Sequence, residues 1–211
     1  MCKHANKYFK PNKMPKRIRK EQIYIAPSII GYIQENGNYY VFDEIERTEL
    51  NPENILDKIK IYERQVKGWF LEPTLRMVRY KPKNKGFLVL MSCLSYFEGV
   101  EQYRIGTPSN GNAQRTFINA INRMYPELFN DLEIRRLYIQ ARCGLFHDGM
   151  TKGQIIINST YENSIEITNN DIKINPKKLL QDITNDFETY LAELRNDVDA
   201  RNRFNNLFSN I

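Results

Sequence analysis

Apolar residues recur along this chain with two different periods, and the change from one to the other marks out its units. Between Gln22 and Phe42 the pattern is that of strands. Tyr32-Ile33-Gln34-Glu35 and Asn38-Tyr39-Tyr40-Val41-Phe42 flank Asn36-Gly37, a dipeptide suited to the positive φ values of a type I′ turn, so a hairpin is predicted here. From Asn51 the period becomes helical. Asn51-Pro52-Glu53 offers an N-cap followed by proline at the first helical position. Ile55, Ile59, Tyr62, Val66 and Trp69 then recur at steps of four and three, predicting one continuous apolar stripe. Pro73 is expected to stop or kink that helix near Glu72, with a shorter helical segment running on to about Tyr80. Lys81-Pro82-Lys83-Asn84-Lys85-Gly86 reads as a loop.

The most apolar stretch follows, Phe87 to Tyr103, and is expected to form the central helix. Within it Ser95, Glu98 and Gln102 share a face, and a carboxylate on so apolar a helix needs a partner. A loop from Ile105 to Asn112 leads to a helix over about 113–125 that buries Phe117, Ile121 and Met124 and ends at Pro126. From Asp131 another helix places Ile134, Leu137, Tyr138, Ala141 and Leu145 on its core face, with Asp148-Gly149 as its stop. Gln154–Ile157 and Ser164–Thr168 predict a second small hairpin. Asn175-Pro176 restarts the helical period, carried by Leu179, Ile183, Phe187, Tyr190, Leu191 and Leu194. Phe204, Leu207 and Phe208 suggest a short terminal helix that docks on the rest. The expected fold is mainly α, a bundle of four principal helices joined up and down, with two small β-hairpins.

Composition supports a packed body. With 211 residues, 41% hydrophobic and 27% charged, the chain resembles ordinary globular proteins and is long enough to bury a core without metal or disulfide staples. Cys2, Cys93 and Cys143 are too few and too irregular for a disulfide framework. No signal peptide is read at the N-terminus, and the longest apolar run is about half the ~20 residues of a membrane span, so a cytoplasmic protein without membrane association is expected. The charge of +6 is uneven. Residues 1–20 carry eight of the 31 basic residues and no acid, leaving 23 basic against 25 acidic in the rest. The organisation expected is a basic flexible arm (1–20), a hairpin extension (21–50), the helical bundle (51–196, with its hairpin at about 153–169) and a tail (197–211). Lys13, Lys16, Arg17, Arg19 and Lys20 are the arm's candidates for contacting an RNA backbone; a solvated terminus that aids solubility is an equally good reading.

The residues with most chemistry are Arg142 and His147, which close a predicted helix in the string Arg142-Cys143-Gly144-Leu145-Phe146-His147-Asp148-Gly149. Histidine, with an unperturbed pKa near ~6.5, suits removal of a 2′-hydroxyl proton. Arginine suits stabilisation of a phosphorane, because its planar fork binds phosphate oxygens and stays charged. This Arg-x4-His string, after a long central helix and before a final amphipathic one, resembles the HEPN (higher eukaryotes and prokaryotes nucleotide-binding) superfamily over about residues 53–196. The resemblance implies a helical bundle and a metal-independent endoribonuclease, often a toxin or defence effector, in which two copies of the motif meet across a homodimer. It implies Arg142 and His147 as catalytic, no cofactor and no metal, single-stranded RNA as substrate, products ending in 2′,3′-cyclic phosphate and 5′-hydroxyl, and an unknown antitoxin or regulator as a further partner. Beside that pair, Glu98, Cys143 and Asp148 are the candidates for supporting residues, Glu98 as the partner that orients Arg142. Cys143 occupies a position that is commonly polar in active members. Gly149 stands where toxins silenced by nucleotidylation carry tyrosine, so an antitoxin of that type is not expected.

One geometric difficulty is visible in advance. Five residues along an α-helix turn through about 500°, leaving Arg142 and His147 roughly 140° apart. They can meet at one phosphate only if the helix breaks after Gly144 or if two subunits contribute. Two further readings stay open: a non-catalytic HEPN module that binds RNA or a partner protein, and a structural ion pair between Arg142 and Glu98. Other candidates are weaker. Cys2 and His4 lack a second ligand pair, Gly106–Asn112 lacks the Lys and Ser/Thr of a P-loop, and the tyrosines and Trp69, as base-stacking surfaces, fall mostly on apolar stripes.

Overall fold

A computed structural model describes residues 18–80 and 85–208, so Lys13, Lys16, Arg17, Cys2, His4 and most of the Lys81–Gly86 loop lie outside the described residues. The chain is mainly helical, with two small sheets. The N-terminal region is more than a hairpin. β1 (Ile23–Ala26), β2 (Ile29–Ile33), β3 (Tyr39–Asp43) and β4 (Thr48–Glu49) form an antiparallel sheet in chain order. Asn36-Gly37 does turn the chain between β2 and β3, but only Gly37 has positive φ (85°). The amide of Gly37 donates to Gln34 O (2.9 Å) and that of Gln34 to Asn38 O (2.9 Å). This is a tight turn followed by one left-handed glycine rather than the type I′ turn expected, which needs two positive φ values. Ile18 is buried, and the carbonyl of Arg19 accepts from the Ile33 amide (2.7 Å), so the chain is already fixed to the sheet at these residues.

The inner face of this sheet (Ile25, Ile29, Val41, Asp43) is buried and packs against α1 (Ile55–Val66). Asp43 is completely buried and makes the join. Its Oδ1 accepts from the amides of Ile45 (3.0 Å) and Glu46 (3.2 Å), while Oδ2 accepts from Arg64 (3.2 Å) and faces Lys60 Nζ at 3.3 Å, both on α1. Helix α1 starts later than its sequence suggests. Asn54, not Asn51, is the N-cap, accepting from Leu56 N and Asp57 N; Asn51 instead turns the preceding residues by accepting from Glu53 N.

The apolar stripe also breaks where the sequence predicts continuity. Ile59 and Tyr62 are buried, but Trp69 is 53% exposed and Leu71 takes the core position. A π-helical segment, Lys67–Leu71, joins α1 to α2 (Glu72–Arg79) without interruption. Its wider turn rotates Trp69 off the stripe. The same turn lets Pro73 lie inside a continuous helical path, since the proline's missing donor falls where the hydrogen bonds change register: the Glu72 amide reaches Lys67 O, five residues back.

Helix α3 (Gly86–Ile105) is central, packing against α4 (Ala113–Met124), α6 (Pro176–Asn196) and α7 (Val198–Phe208). Rings cross-link the core edge to face: Phe97 of α3 with Phe117 of α4 (5.3 Å between centroids), and Phe117 with Tyr138 (5.3 Å). Arg104 of α3 also reaches Glu193 of α6 (2.7 Å), and Tyr96 donates to Asp186 (2.7 Å), so the helix that carries Glu98 is held on both sides. The expected second hairpin is different. β5 (Ile155–Ile157) runs parallel to β7 (Ile172–Ile174), which also pairs antiparallel with β6 (Ile165–Ile167). The short Ile-Lys-Ile run after Asn169-Asn170-Asp171 supplies this middle strand, so Gln154–Ile157 and Ser164–Thr168 are not neighbours. Asn175 caps α6 as its sequence indicates, and Phe204 and Phe208 of α7 are buried.

Burial opposes the charge on Asp43, yet two backbone donors, Arg64 and Lys60 together hold its carboxyl below the ordinary value. Asp43→Ala is expected to cost about 2 kcal/mol in urea unfolding at pH 7, less than for a wholly buried pair because Arg64 and Lys60 reach solvent. Since the folded pKa lies below the unfolded value of ~3.9, this contribution is whole at pH 6 and is lost as pH falls through the lowered folded pKa. The gap between wild type and variant therefore closes in acid; a gap that is constant down to pH 2 contradicts this account.

Candidate functional site

The Arg142/His147 string lies on a helix that begins as α and changes register. α5 (Asp131–Leu137) opens with a capping box in which Asn130 accepts from Leu132 N and Glu133 N, and the Glu133 carboxylate accepts from Asn130 N. Ile134, Leu137, Tyr138, Ala141 and Leu145 are buried, as the apolar spacing predicts. From Tyr138 to Asp148 the helix is π rather than α. Hydrogen bonds then close between residues five apart, at about 4.4 residues per turn. Each residue turns through roughly 80°, so positions 142 and 147 lie about 50° apart instead of roughly 140°. The change of register removes most of the separation that an α-helix imposes, with no break after Gly144.

Glycine makes the wide turn possible. Gly149 has φ 69° and ends the helix, its amide donating to Gly144 O. The chain then doubles back across Gly144: the Met150 amide also reaches Gly144 O (3.3 Å), and the Lys152 amide donates to Gln140 O (2.8 Å). A Cβ at position 144 lies 2.6 Å from Met150 O and 2.9 Å from Lys152 N, both backbone atoms, so no larger residue fits without moving the returning chain. Carbonyls near the helix end are thus satisfied by residues 149–152.

Arg142 is held from three sides. Its Nη2 donates to Glu98 Oε2 at 2.7 Å, with side chains 20% and 18% exposed. Its guanidinium carbon lies 5.0 Å from the centroid of the Phe146 ring and 5.6 Å from that of Tyr138. Those two residues are one turn below and one above it, where the register puts them. Glu98 is anchored in turn, its Oε1 accepting from Ser109 Oγ (3.1 Å) in the loop after α3. Among the described residues Nε and Nη1 of Arg142 make no hydrogen bond, so part of the planar fork stays available to an anion. His147 is exposed, beside the 41%-exposed Phe146, and no hydrogen bond to its imidazole is found among the described residues. It stands in the last helical turn, where the macrodipole favours a cation.

The other candidates are placed as follows. Cys143 is a half-buried free thiol next to the Tyr138 phenol, and burial pushes that phenol above its usual range while Arg142 opposes the shift. Asp148 pairs with Lys152 Nζ (2.6 Å) and raises the Lys152 pKa. Neither is hydrogen-bonded to Arg142 or His147. Arg19 and Lys20 are exposed beside the N-terminal sheet, and no hydrogen bond or ion pair joins them to Arg142 or His147. The Glu98–Arg142 contact is the one the sequence anticipates. Ser109, Tyr138 and Phe146 also belong to this cluster, beyond the residues that the sequence points to. For the two rings the available signal is their spacing of four on either side of Arg142; for Ser109 no local signal exists. Among the described residues no group of three or more His, Cys, Asp or Glu side chains is placed to hold a metal ion, and no helix is long and apolar enough to cross a membrane.

Comparison with known proteins adds no relative: no family model matches the chain, and neither does any curated protein or solved structure.

Gly144→Ala is expected to lower stability by roughly 1–3 kcal/mol, the ordinary cost of overpacking, and to be read in urea unfolding. An unchanged midpoint contradicts the close approach of residues 150–152.

Proposed function

We propose that this chain is a HEPN-type, metal-independent endoribonuclease that cleaves single-stranded RNA in the cytoplasm. Its fold is read as a HEPN-like bundle and its role as that of a toxin or defence effector, restrained by a still unknown antitoxin or regulator. The observation that carries the reading is the π register of Tyr138–Asp148, which gives a half-buried, ring-flanked arginine and an exposed histidine a common side of one helix.

The chemistry assigned to them balances within the RNA. His147 accepts the 2′-hydroxyl proton as the 2′-oxygen bonds to phosphorus. Arg142 faces the non-bridging oxygens of the phosphorane, where its charge counts for more as water is excluded. The bond from phosphorus to the 5′-oxygen breaks, a protonated imidazole returns a proton to that oxygen, and the products carry 2′,3′-cyclic phosphate and 5′-hydroxyl ends. Glu98 acts through Arg142 as a positioning residue, fixing the guanidinium while leaving two of its nitrogens open. A homodimer through this helix is part of the reading. It is supported by the exposed apolar side chains of Leu132, Ile139, Phe146 and Met150 on the helix and the turn after it, and it brings two motifs together so that one imidazole can act as base and the other as acid.

A second reading is a non-catalytic module that binds RNA or a partner protein. The arrangement favouring it is the direct Arg142–Glu98 pair beside Cys143, in which one carboxylate already occupies part of the arginine fork.

His147→Ala is expected to lower RNA cleavage in EDTA by about 10²–10⁴-fold with the circular dichroism spectrum unchanged. Arg142→Lys should also lose most activity, because a point charge cannot replace the fork. Equal cleavage by the histidine variant, or none by the wild type across varied single-stranded RNAs, rejects the nuclease in favour of the binding module.

A further inference from the structure

The N-terminal sheet has a second face that the fold does not use. Alternation along β1 to β3 sends Ile25, Ile29, Val41 and Asp43 inward and leaves Tyr24, Ile30, Tyr32, Tyr40 and Phe42 on the opposite side. None of these five belongs to the core or packs against it. Tyr24 is 59% exposed and the others are partly so. Three of the rings form a continuous row. Tyr32 and Tyr40 face each other across β2 and β3 with centroids 5.1 Å apart, and Tyr40 stacks beside Phe42 at 6.3 Å with planes only 8° apart.

Charged side chains border this row of rings. At the β1 edge, Arg19 and Lys20 are exposed, with the Arg19 carbonyl tied to Ile33 of β2. Residues 1–17 of the sequence carry six more basic side chains and no acid. At the β4 edge Glu49 lies opposite Phe42, and Glu44, just after β3, accepts from the hydroxyl of Tyr24 on β1 (3.4 Å). An aromatic row with exposed cations beside its Tyr32 end matches an unpaired nucleic-acid strand. Its bases have exposed π faces, and its phosphates are drawn to Arg19 and Lys20. An acidic peptide matches the cations but gives the row of rings nothing to stack on.

We propose that this outer face binds single-stranded RNA. Bases stack on Tyr32, Tyr40 and Phe42, while phosphates run along the β1 edge past Arg19 and Lys20. The face then serves as a substrate-holding site separate from Arg142 and His147. The choice of RNA as the strand rests on the ribonuclease reading.

The test uses the full chain with His147→Ala, so that RNA stays intact, and a fluorescently labelled twelve-nucleotide oligouridine at several salt concentrations. Tyr32→Leu with Tyr40→Leu keeps the apolar bulk but removes the rings, and affinity is expected to fall about ten- to hundredfold at unchanged thermal unfolding. Tyr40→Phe keeps the ring and should keep the affinity. Arg19→Gln with Lys20→Gln should reduce the slope of log affinity against log salt by about 1.4, two phosphate contacts on a single strand. A duplex of the same length should compete poorly, since its bases are already stacked. Unchanged affinity in the leucine variant, equal binding of duplex and single strand, or no binding of the oligouridine overturns the proposal. The two readings fail separately. Loss of affinity in the leucine variant of a protein that never cleaves keeps this site and removes the nuclease, whereas RNA cleavage with affinity indifferent to Tyr32 and Tyr40 does the reverse.

Discussion

A helix that closes its hydrogen bonds five residues on, instead of four, is the constraint on which the rest of this structure turns. Over Tyr138–Asp148 the wider register aligns residues that an α-helix would send to different sides. Such a register is uncommon because its hydrogen bonds and packing are poorer than those of an α-helix, so something must hold it. Two devices do so here. One is the irregular segment at residues 150–152, laid against the bare backbone of Gly144. The other is the cross-link from Arg142 to Glu98 on the central helix. The same glycine and arginine that belong to the sequence string are therefore also parts of the local architecture, and the motif's spacing of five makes physical sense once the register is known.

The central helix converts that local geometry into a fixed site. Glu98 lies within one turn of Phe97, Val100 and Glu101, all buried, on a helix clamped to α4 through rings and to α6 through Arg104 and Tyr96. An arginine tied to such a carboxylate cannot swing freely, and the flanking rings of Tyr138 and Phe146 restrict it further. His147, by contrast, is exposed, and among the described residues no hydrogen bond reaches its imidazole.

Much of this was legible in the sequence wherever side-chain period and burial agree. The central helix, the buried set Ile134, Leu137, Tyr138, Ala141 and Leu145, the Asn175 cap and the left-handed Gly149 all follow from patterns that local chemistry enforces. The departures share a cause. Trp69 leaves its stripe and Arg142 approaches the side of His147 because two helical segments adopt π turns, and a reading built on about 3.6 residues per turn contains no term for them. Asn51 and Asn54 are both good caps, and only packing of α1 against the sheet decides between them. The strand Ile172–Ile174 is too short to announce itself, and it takes its place only because β5 and β6 each offer it an edge. At the site, the contact between Glu98 and Arg142 could be anticipated because a carboxylate on an apolar helix must be answered. The contribution of Ser109, eleven residues away in a loop, could not.

The central claim, that one guanidinium and one imidazole address the same phosphate, is tested most directly by nitrogen-15 NMR of the side chains. The labelled protein is titrated with a short RNA whose 2′-oxygens are methylated and so cannot attack. The account predicts that the Arg142 Nε and the His147 ring nitrogens shift together along one saturation curve. Movement of one without the other, at saturating RNA, contradicts it.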